Sequence, residues 1–281
     1  MIRRLGSAAL AAGTVLAGSA PGTAAAESGC GDFHWIGAAG SGQREGAALT
    51  ADEGMGDVVY QSYQQFRDDL MASGRTVTSE AVQYPAAAVP LKGGVGGWLN
   101  FLGSVGDGTD ATAQQFHAFT ERCPDTKVVL AGYSQGAMVI HRNLYKLADD
   151  PHVAAALLIA DGDRLPTDTT VDMGSTAITP GIGKGGGEGV AQEHSFLAST
   201  NTSTLPRTIG ARTISVCDVG DPVCDANPDS TEVSATDIAI HTSYAPTLSG
   251  PHAWGTTLYQ LATGTGAAAT ASTTAIAAHG T

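Results

Sequence analysis

The chain has 281 residues, of which 42% are hydrophobic and only 15% are charged. This length and apolar content allow one sizeable core and argue against disorder throughout, which requires more charge and fewer apolar groups. The formal net charge of −13, from 27 acidic and 14 basic residues, argues against partners rich in phosphate. We therefore expect neither nucleic-acid binding nor attachment to an anionic membrane surface.

The first 26 residues have the composition of a secretory signal peptide. Arg3 and Arg4 give a charged start, residues 5–20 are apolar and small, and residues 24–26 fit a small-residue cleavage site. The apolar stretch is too short and too rich in Gly and Ala for a spanning helix, and no other segment approaches about 18 uninterrupted apolar residues. We therefore expect a secreted, extracellular protein with no integral membrane segment after signal removal.

Beyond the signal, predicted strands alternate with predicted helices. One helix, for example, carries Val59, Tyr63, Phe66 and Leu70 on a single stripe, and the compact apolar run at 127–132 is typical of a buried parallel strand. The alternation favours an α/β domain with a parallel sheet. In chain order we predict strand 32–38, helix 58–73, strand 77–84, a Gly/Pro-interrupted loop 85–97, helix 111–122, strand 127–132, helix 135–148, strands 153–160 and 212–216, and helix 254–263.

Two segments lie outside this alternation. Residues 161–210, called the polar insert below, are long and polar and contain the Gly-rich run 183–189. A structureless loop of that length is unusual in a compact domain and often functional, so the polar insert is a candidate lid. Residues 264–281 are mostly Ala, Thr and Gly and have the composition of a disordered tail. The folded domain is thus predicted to span residues 27–263.

All four cysteines, Cys30, Cys123, Cys217 and Cys224, lie beyond the predicted signal. An even count in a secreted chain favours two disulfides, with three pairings open. Cys217 with Cys224 would close one short loop, and Cys30 with Cys123 would then close a long one. Zinc binding is the competing interpretation, but no C-x-x-C or H-x-x-x-H spacing is present. We expect no metal and no cofactor.

The strongest local signal is Gly132-Tyr133-Ser134-Gln135-Gly136, which matches G-x-S-x-G between a predicted strand and a predicted helix. A serine at a sharp strand-to-helix turn is pushed out above the sheet, where its hydroxyl can act as a nucleophile. The flanking glycines avoid clashes, and the helix N-terminus offers N–H groups to developing negative charge. The competing interpretation is a serine that caps an ordinary helix in a Gly-rich chain.

A serine nucleophile needs a base and an acid that orients the base, and in this architecture they follow in the order serine, acid, histidine. Asp221 follows a predicted strand and lies between the last two cysteines, which would stiffen its loop. Asp218 is a second candidate nearer the strand end. The competing interpretation of either is a solvated loop acid, or a calcium ligand together with Asp225 and Asp229.

The base must follow the acid, and His241 and His252 both do. Chain order alone leaves these two equal. His194 precedes the acid and breaks the order. His117 and His141 lie on predicted helices, where a lone histidine is usually a surface or structural residue.

Four segments, in one order along the chain, resemble the cutinase family of serine esterases. They are Cys123-Pro124-Asp125-Thr126 followed by a strand and Gly-Tyr-Ser-Gln-Gly, the C-x3-D-x2-C pattern at Cys217, Asp221 and Cys224, the H-x-x-Y pattern at His241-Thr242-Ser243-Tyr244, and Gly40-Ser41, which resembles the R-G-S/T turn. Each segment alone is a weak signal, whereas the ordered set is specific.

The resemblance implies a three-layer α/β-hydrolase-type fold with a central parallel sheet flanked by helices, and disulfides Cys30–Cys123 and Cys217–Cys224. It implies hydrolysis of carboxylic esters, with a lipid or polyester as substrate, and we expect a monomer. The implied roles are Ser134 as nucleophile, Asp221 as orienting acid, His241 as base and then acid, and Ser41 and Gln135 as the oxyanion hole.

Two departures from the family pattern matter. Ala39 occupies the position where the family usually has Arg, beside the oxyanion turn, and the polar insert is longer than in the small cutinases. Sibling acyl hydrolases such as an acetylxylan esterase or a lipase, and an acyl transferase, would use the same triad. A binding protein on a catalytically dead hydrolase scaffold is the alternative from another class.

Overall fold

The computed structural model describes residues 29–90, 95–194, 197, 203–230 and 232–265, so the predicted signal peptide and the tail beyond residue 265 lie outside it. Within these residues six strands form one sheet, in the order β2-β1-β3-β4-β6-β5, with every neighbouring pair parallel. The strands are β1 (Phe33–Ala38), β2 (Val77–Ala81), β3 (Lys127–Tyr133), β4 (Val153–Ile159), β5 (Val171–Met173) and β6 (Thr213–Val216). The helices are α1 (Asp57–Ala72), α2 (Val95–Arg122), α3 (Gln135–Leu144), α4 (Ser175–Ile178), α5 (Val190–Glu193), α6 (Arg207–Gly210), α7 (Ala235–His241) and α8 (Trp254–Thr263).

Helices cover both faces of the sheet, because its central strands are apolar on both sides. In β3, Val128 and Leu130 belong to the core under α2 and α3, whereas Val129 and Ala131 belong to the core under α1 and α8. All seven residues of β4 are buried, as expected for a parallel strand with a helical layer on each face. The predicted three-layer α/β-hydrolase-type fold is confirmed.

The order of strands reverses beside β1, and two candidate site residues leave the sheet there. From β1 the chain runs outward to the edge strand β2, then returns to place β3 on the opposite side of β1. Open α/β sheets bind ligands at such a reversal, outside the carboxyl ends of the strands. Ser41 follows β1 and Ser134 follows β3, so the two residues leave the sheet at the same reversal.

Helix α2 begins 16 residues earlier than predicted, at residue 95 instead of 111. The first half contains Gly96, Gly97, Gly103 and Gly106, which lower intrinsic helix propensity. Packing outweighs that cost: Phe101 and Val105 are buried in the core against α3. The strand predicted at 77–84 and the helix predicted at 135–148 were also too long, since β2 ends at residue 81 and α3 at residue 144.

The polar insert is partly regular, which the sequence did not predict. It holds the edge strand β5, which pairs with β6, and the three short helices α4, α5 and α6. Residues 195–196 and 198–202 of the insert lie outside the described residues. A lid function for the insert stays a prediction.

Both disulfides implied by the family resemblance are present. Cys30 is bonded to Cys123 and Cys217 to Cys224, with sequence separations of 93 and 7 residues.

Of the helices in the described ranges, none is long and apolar enough to cross a membrane.

Candidate active site

Ser134 occupies a strained turn between β3 and α3. Its φ of 54° is unusual for a residue other than glycine, and such strain is often stored at reactive positions. The glycines on either side are required by close approach: a Cβ at Gly132 would lie 2.2 Å from the carbonyl oxygen of Gly136, and a Cβ at Gly136 would lie 2.1 Å from that of Ala38. The G-x-S-x-G motif therefore forms the predicted elbow.

Ser134, His241 and Asp221 form one continuous chain of hydrogen bonds. Nε2 of His241 lies 3.0 Å from Oγ of Ser134, and Nδ1 lies 2.9 and 3.1 Å from the two oxygens of Asp221. A carboxylate only accepts, so Nδ1 carries the proton and Nε2 is left to accept the serine proton. This is the geometry that general-base activation of a hydroxyl requires.

Asp221 is held in a loop that leaves its side chain completely buried. The loop, residues 217–224, is called the Asp221 loop below, and the Cys217–Cys224 disulfide joins its ends. Oδ1 of Asp221 accepts the N–H groups of Val223 and Cys224 at 2.7 and 3.2 Å. These bonds fix the carboxylate toward His241 and keep it away from water.

His241 is the last residue of α7, a helix that the sequence did not predict. A capping box between Ser234 and Asp237 starts this helix. The ring of Tyr133 stacks on the imidazole of His241 at 5.2 Å, and its hydroxyl donates to the main-chain oxygen of the same residue at 2.5 Å. Burial, with the nearby Asp221, raises the pKa of the Tyr133 hydroxyl, so the phenol stays protonated and remains a donor.

The turn after β1 lies against the elbow, as the predicted oxyanion hole requires. Oγ of Ser41 is buried and has no hydrogen-bond partner among the described residues. The N–H groups on either side of it are already used: that of Gly40 donates to Oε1 of Gln43 at 2.8 Å, and that of Gly42 donates to the main-chain oxygen of Ala86 at 2.7 Å. The geometry thus leaves the hydroxyl of Ser41 as a buried donor that is unpaired among the described residues.

Gln135 supplies the second predicted donor from the start of α3. The first N–H groups of a helix have no partner within it, so the N–H of Gln135 is open to a ligand. Its side chain is buried and donates to the main-chain oxygen of Ala87 at 3.3 Å. Gln135 is thereby held by the loop that also binds the Ser41 turn.

A buried arginine braces the turn after β1, although it does not stand at Ala39, the position where the family usually has arginine. Ala39 is fully buried, and Arg44 contributes the guanidinium instead. Arg44 donates to the main-chain oxygens of Tyr84 and Gly54 at 3.0 and 2.7 Å, and to Oε1 of Gln83 at 3.0 Å. The hydroxyl of Tyr84 in turn donates to the main-chain oxygen of Ala39. Sequence reasoning missed this role of Arg44.

The alternative acid and the alternative base form a pair of their own. Nε2 of His252 donates to Oδ2 of Asp218 at 2.7 Å, and the ring of His252 stacks on Tyr244. Burial opposes ionisation of Asp218, but hydrogen bonds from His252 and from the N–H of Ser175 outweigh it and lower the pKa of this carboxyl. The main-chain N–H of Asp218 also donates to the hydroxyl of Tyr244 at 2.8 Å. Through this pair His252 holds Asp218, near the start of the Asp221 loop, and neither side chain is hydrogen-bonded to Ser134.

His141 is buried among three aspartates at the start of the polar insert. Nδ1 lies 2.5 Å from Oδ2 of Asp161, and Nε2 lies 3.9 Å from Oδ2 of Asp168. Burial opposes a charge on this imidazole, but Asp161, Asp163 and Asp168 outweigh it, so the pKa of His141 is raised above 6.5. His141 is therefore structural, as the sequence indicated, and the three aspartates favour its protonated form.

This raised pKa predicts a pH-dependent stability. The contribution of His141 is complete below its unfolded pKa of about 6.5 and is lost as the pH rises through the higher folded pKa. We expect His141→Gln to lower the free energy of unfolding more at pH 6 than at pH 9. Urea melts of both proteins at the two pH values measure this, and an equal loss at both would contradict it.

The described residues contain no cluster of three or more His, Cys, Asp or Glu side chains arranged to hold a metal ion. The predicted calcium alternative is not formed, because Asp225 is buried against main-chain N–H groups while Asp229 is exposed.

A strained serine between a parallel strand and a helix, with histidine and aspartate from later loops in line, is the arrangement of the α/β hydrolases. Comparison with known proteins narrows the class. The family model described as "Cutinase" matches residues 29–253, which is most of the chain. The chain belongs to the cutinase family.

The matches to individual relatives cover less of the chain than the family model does. An acetylxylan esterase of Hypocrea jecorina is 42% identical over 67 residues, covering 24% of this chain and 21% of that protein. Cutinase 11 of Verticillium dahliae is 30% identical over 151 residues, covering 52% of this chain and 48% of that protein. The chain thus matches half or less of the length of these relatives. The catalytic core domain of acetyl xylan esterase from Trichoderma reesei shares the fold, with a TM-score of 0.52 at 22% identity over 84% of this chain and 98% of that one.

Proposed function

We propose that this protein is a secreted serine esterase that hydrolyses carboxylic esters through an acyl-enzyme. The observation that carries the proposal is the unbroken hydrogen-bond chain from Ser134 through His241 to Asp221. Membership of the cutinase family supports the same chemistry. Two disulfides and the predicted signal peptide support secretion.

The reaction follows from the positions of these groups. Oγ of Ser134 attacks the carbonyl carbon of the ester while Nε2 of His241 takes its proton, and the N–H of Gln135 with the N–H and hydroxyl of Ser41 stabilise the resulting oxyanion. His241 then protonates the leaving alcohol, and the acyl group remains on Ser134. Water, activated by the same imidazole, releases the acid. Asp221 stays ionised and stabilises the imidazolium in both steps.

The substrate is proposed as a cutin-like polyester or an ester of a short or medium acyl chain. The relatives named acetylxylan esterase support an acetylated polysaccharide as a second candidate. A lipase or an acyl transferase would use the same triad. A p-nitrophenyl ester series from acetate to palmitate, with cutin, acetylated xylan and a triglyceride emulsion beside it, separates the hydrolases. An acyl transferase is recognised by ester formation with an added alcohol at the expense of hydrolysis.

The alternative from another class is a secreted binding protein on an inactive scaffold. A fluorophosphonate probe distinguishes the two, because it reacts only with an activated serine. Labelling of the wild type at Ser134, absent in Ser134→Ala, supports the esterase. No labelling of a folded wild type would favour the binding protein.

A further inference from the structure

One buried carboxylate beside the Asp221 loop takes no part in the reaction proposed above. Asp225 follows Cys224 directly, is only 2% exposed, and belongs to none of the ion pairs among the described residues. A buried anion without a cation is costly unless hydrogen bonds satisfy it. The hydrogen bonds that satisfy the carboxylate of Asp225 therefore indicate which parts of the chain it holds in place.

Both oxygens of Asp225 accept hydrogen bonds from glycines of two different segments. Oδ2 accepts the N–H of Gly220 at 2.8 Å, and Oδ1 accepts that of Gly187 at 2.7 Å. Gly220 immediately precedes Asp221, whereas Gly187 belongs to the polar insert. Both glycines have positive φ, +83° and +81°, a conformation that few other residues adopt. Asp225 thus joins the backbone before the predicted catalytic acid to the insert.

The insert is itself fixed where it meets Asp225. The guanidinium of Arg164, which is 4% exposed, donates to the main-chain oxygen of Gly187. Further along, the N–H of Val190 donates to the main-chain oxygen of Val223 at 2.7 Å, which bonds the Gly-rich part of the insert directly to the Asp221 loop. This part of the insert is therefore fastened to the loop instead of lying free above it.

We propose that Asp225 is a positioning residue of the esterase, and that the Gly-rich part of the polar insert braces the Asp221 loop. The proposal rests on the proposed function. The disulfide fixes the ends of the loop but not the peptide group of Gly220, which Asp225 holds. Since Asp221 follows Gly220, rotation of that peptide would displace the carboxylate from Nδ1 of His241.

The test is the variant Asp225→Asn, which keeps the size of the side chain but offers one acceptor oxygen in place of two. One of the two glycine N–H groups then loses its partner. We expect kcat per active site on a short-chain p-nitrophenyl ester to fall by about tenfold with KM within about twofold, because the orienting acid acts in the transition state. Active sites are titrated to completion with a fluorophosphonate, so unfolded protein does not count.

Asp229→Asn is the matched control. It makes the same change of charge four residues away on an exposed side chain, and we expect it to leave kcat and KM unchanged. If Asp225→Asn does not fold, Arg164→Met loosens the same brace from the insert side, with an expected loss in kcat of about threefold.

The outcomes are distinguishable. Unchanged kcat per titrated site in Asp225→Asn, or in Arg164→Met where the former does not fold, would overturn the positioning role even if the melting temperature fell. A wild type that neither reacts with the probe nor hydrolyses esters would overturn the proposed function and the positioning role together.

Discussion

We expect His241→Ala to remove most ester hydrolysis and His252→Ala to leave most of it intact. Both imidazoles pair with an aspartate and stack on a tyrosine, but only His241 has Nε2 within 3.0 Å of Oγ of Ser134. Loss of a triad member costs on the order of 10⁴ in kcat, so the two variants should differ by several orders of magnitude. Steady-state kinetics on a short-chain p-nitrophenyl ester measure the difference.

His252→Ala is the matched control because it also strips an aspartate of its partner. We expect its effect in a thermal melt, since the carboxylate of Asp218 loses the bond from His252 and keeps the one from the N–H of Ser175. His241→Ala should retain its fold, with the Asp221 loop still closed by its disulfide. An inactive His252→Ala beside an active His241→Ala would show that the base had been assigned to the wrong residue.

The elbow that carries the candidate nucleophile Ser134 could be predicted from the sequence because most of its signals are local. The positive φ at Ser134 and the close approach of Gly132 to Gly136 lie within five consecutive residues, whereas Gly136 also approaches the carbonyl oxygen of Ala38, which is distant in sequence. The strand before and the helix after are also local signals, read from apolar runs and helical spacing. The fold class and the position of the elbow could therefore be predicted without knowledge of the distant contact at Ala38.

The acid and the base needed more than local pattern. Chain order left His241 and His252 equal, because both follow Asp221. In the structure each imidazole is paired with an aspartate, so an acidic neighbour does not distinguish them either. Only the family resemblance, through the H-x-x-Y pattern, favoured His241. Contact with Ser134, 107 residues away along the chain, is the feature that distinguishes the two.

The supporting residues could not be predicted, because their partners are distant in sequence. Arg44 donates hydrogen bonds to Gln83 and Tyr84, which follow it by 39 and 40 positions. Asp225 accepts a hydrogen bond from Gly187, which precedes it by 38 positions. The first half of α2 was missed for the same reason. Its glycines lower helix propensity, and at Gly108 the absent side chain admits Tyr84 and Val139, since a Cβ there would lie 2.7 Å from each.

The oxyanion hole leads to a second large effect, because one of its proposed donors is a removable side chain. Oγ of Ser41 is buried and unpaired among the described residues, in a turn whose neighbouring N–H groups already have acceptors. A buried hydroxyl without a partner does not stabilise the fold and costs some stability, since nothing offsets its lost hydration. Its placement is explained if it donates to charge that develops on the substrate.

Ser41→Ala should therefore lower kcat by about 10²–10³, or roughly 3–4 kcal/mol, with little change in KM, because the lost hydrogen bond is strong only in the transition state. The melting temperature should not fall, because the hydroxyl has no partner to lose and its removal relieves the cost of burying it. Ser41→Thr is the control: it retains the donor and should keep most of kcat, whereas a role in packing would make the larger side chain the worse variant. Kinetics on a short-chain ester beside a thermal melt decide between them. Unchanged kcat in Ser41→Ala would assign the oxyanion to the N–H of Gln135 and a main-chain donor of the β1 turn.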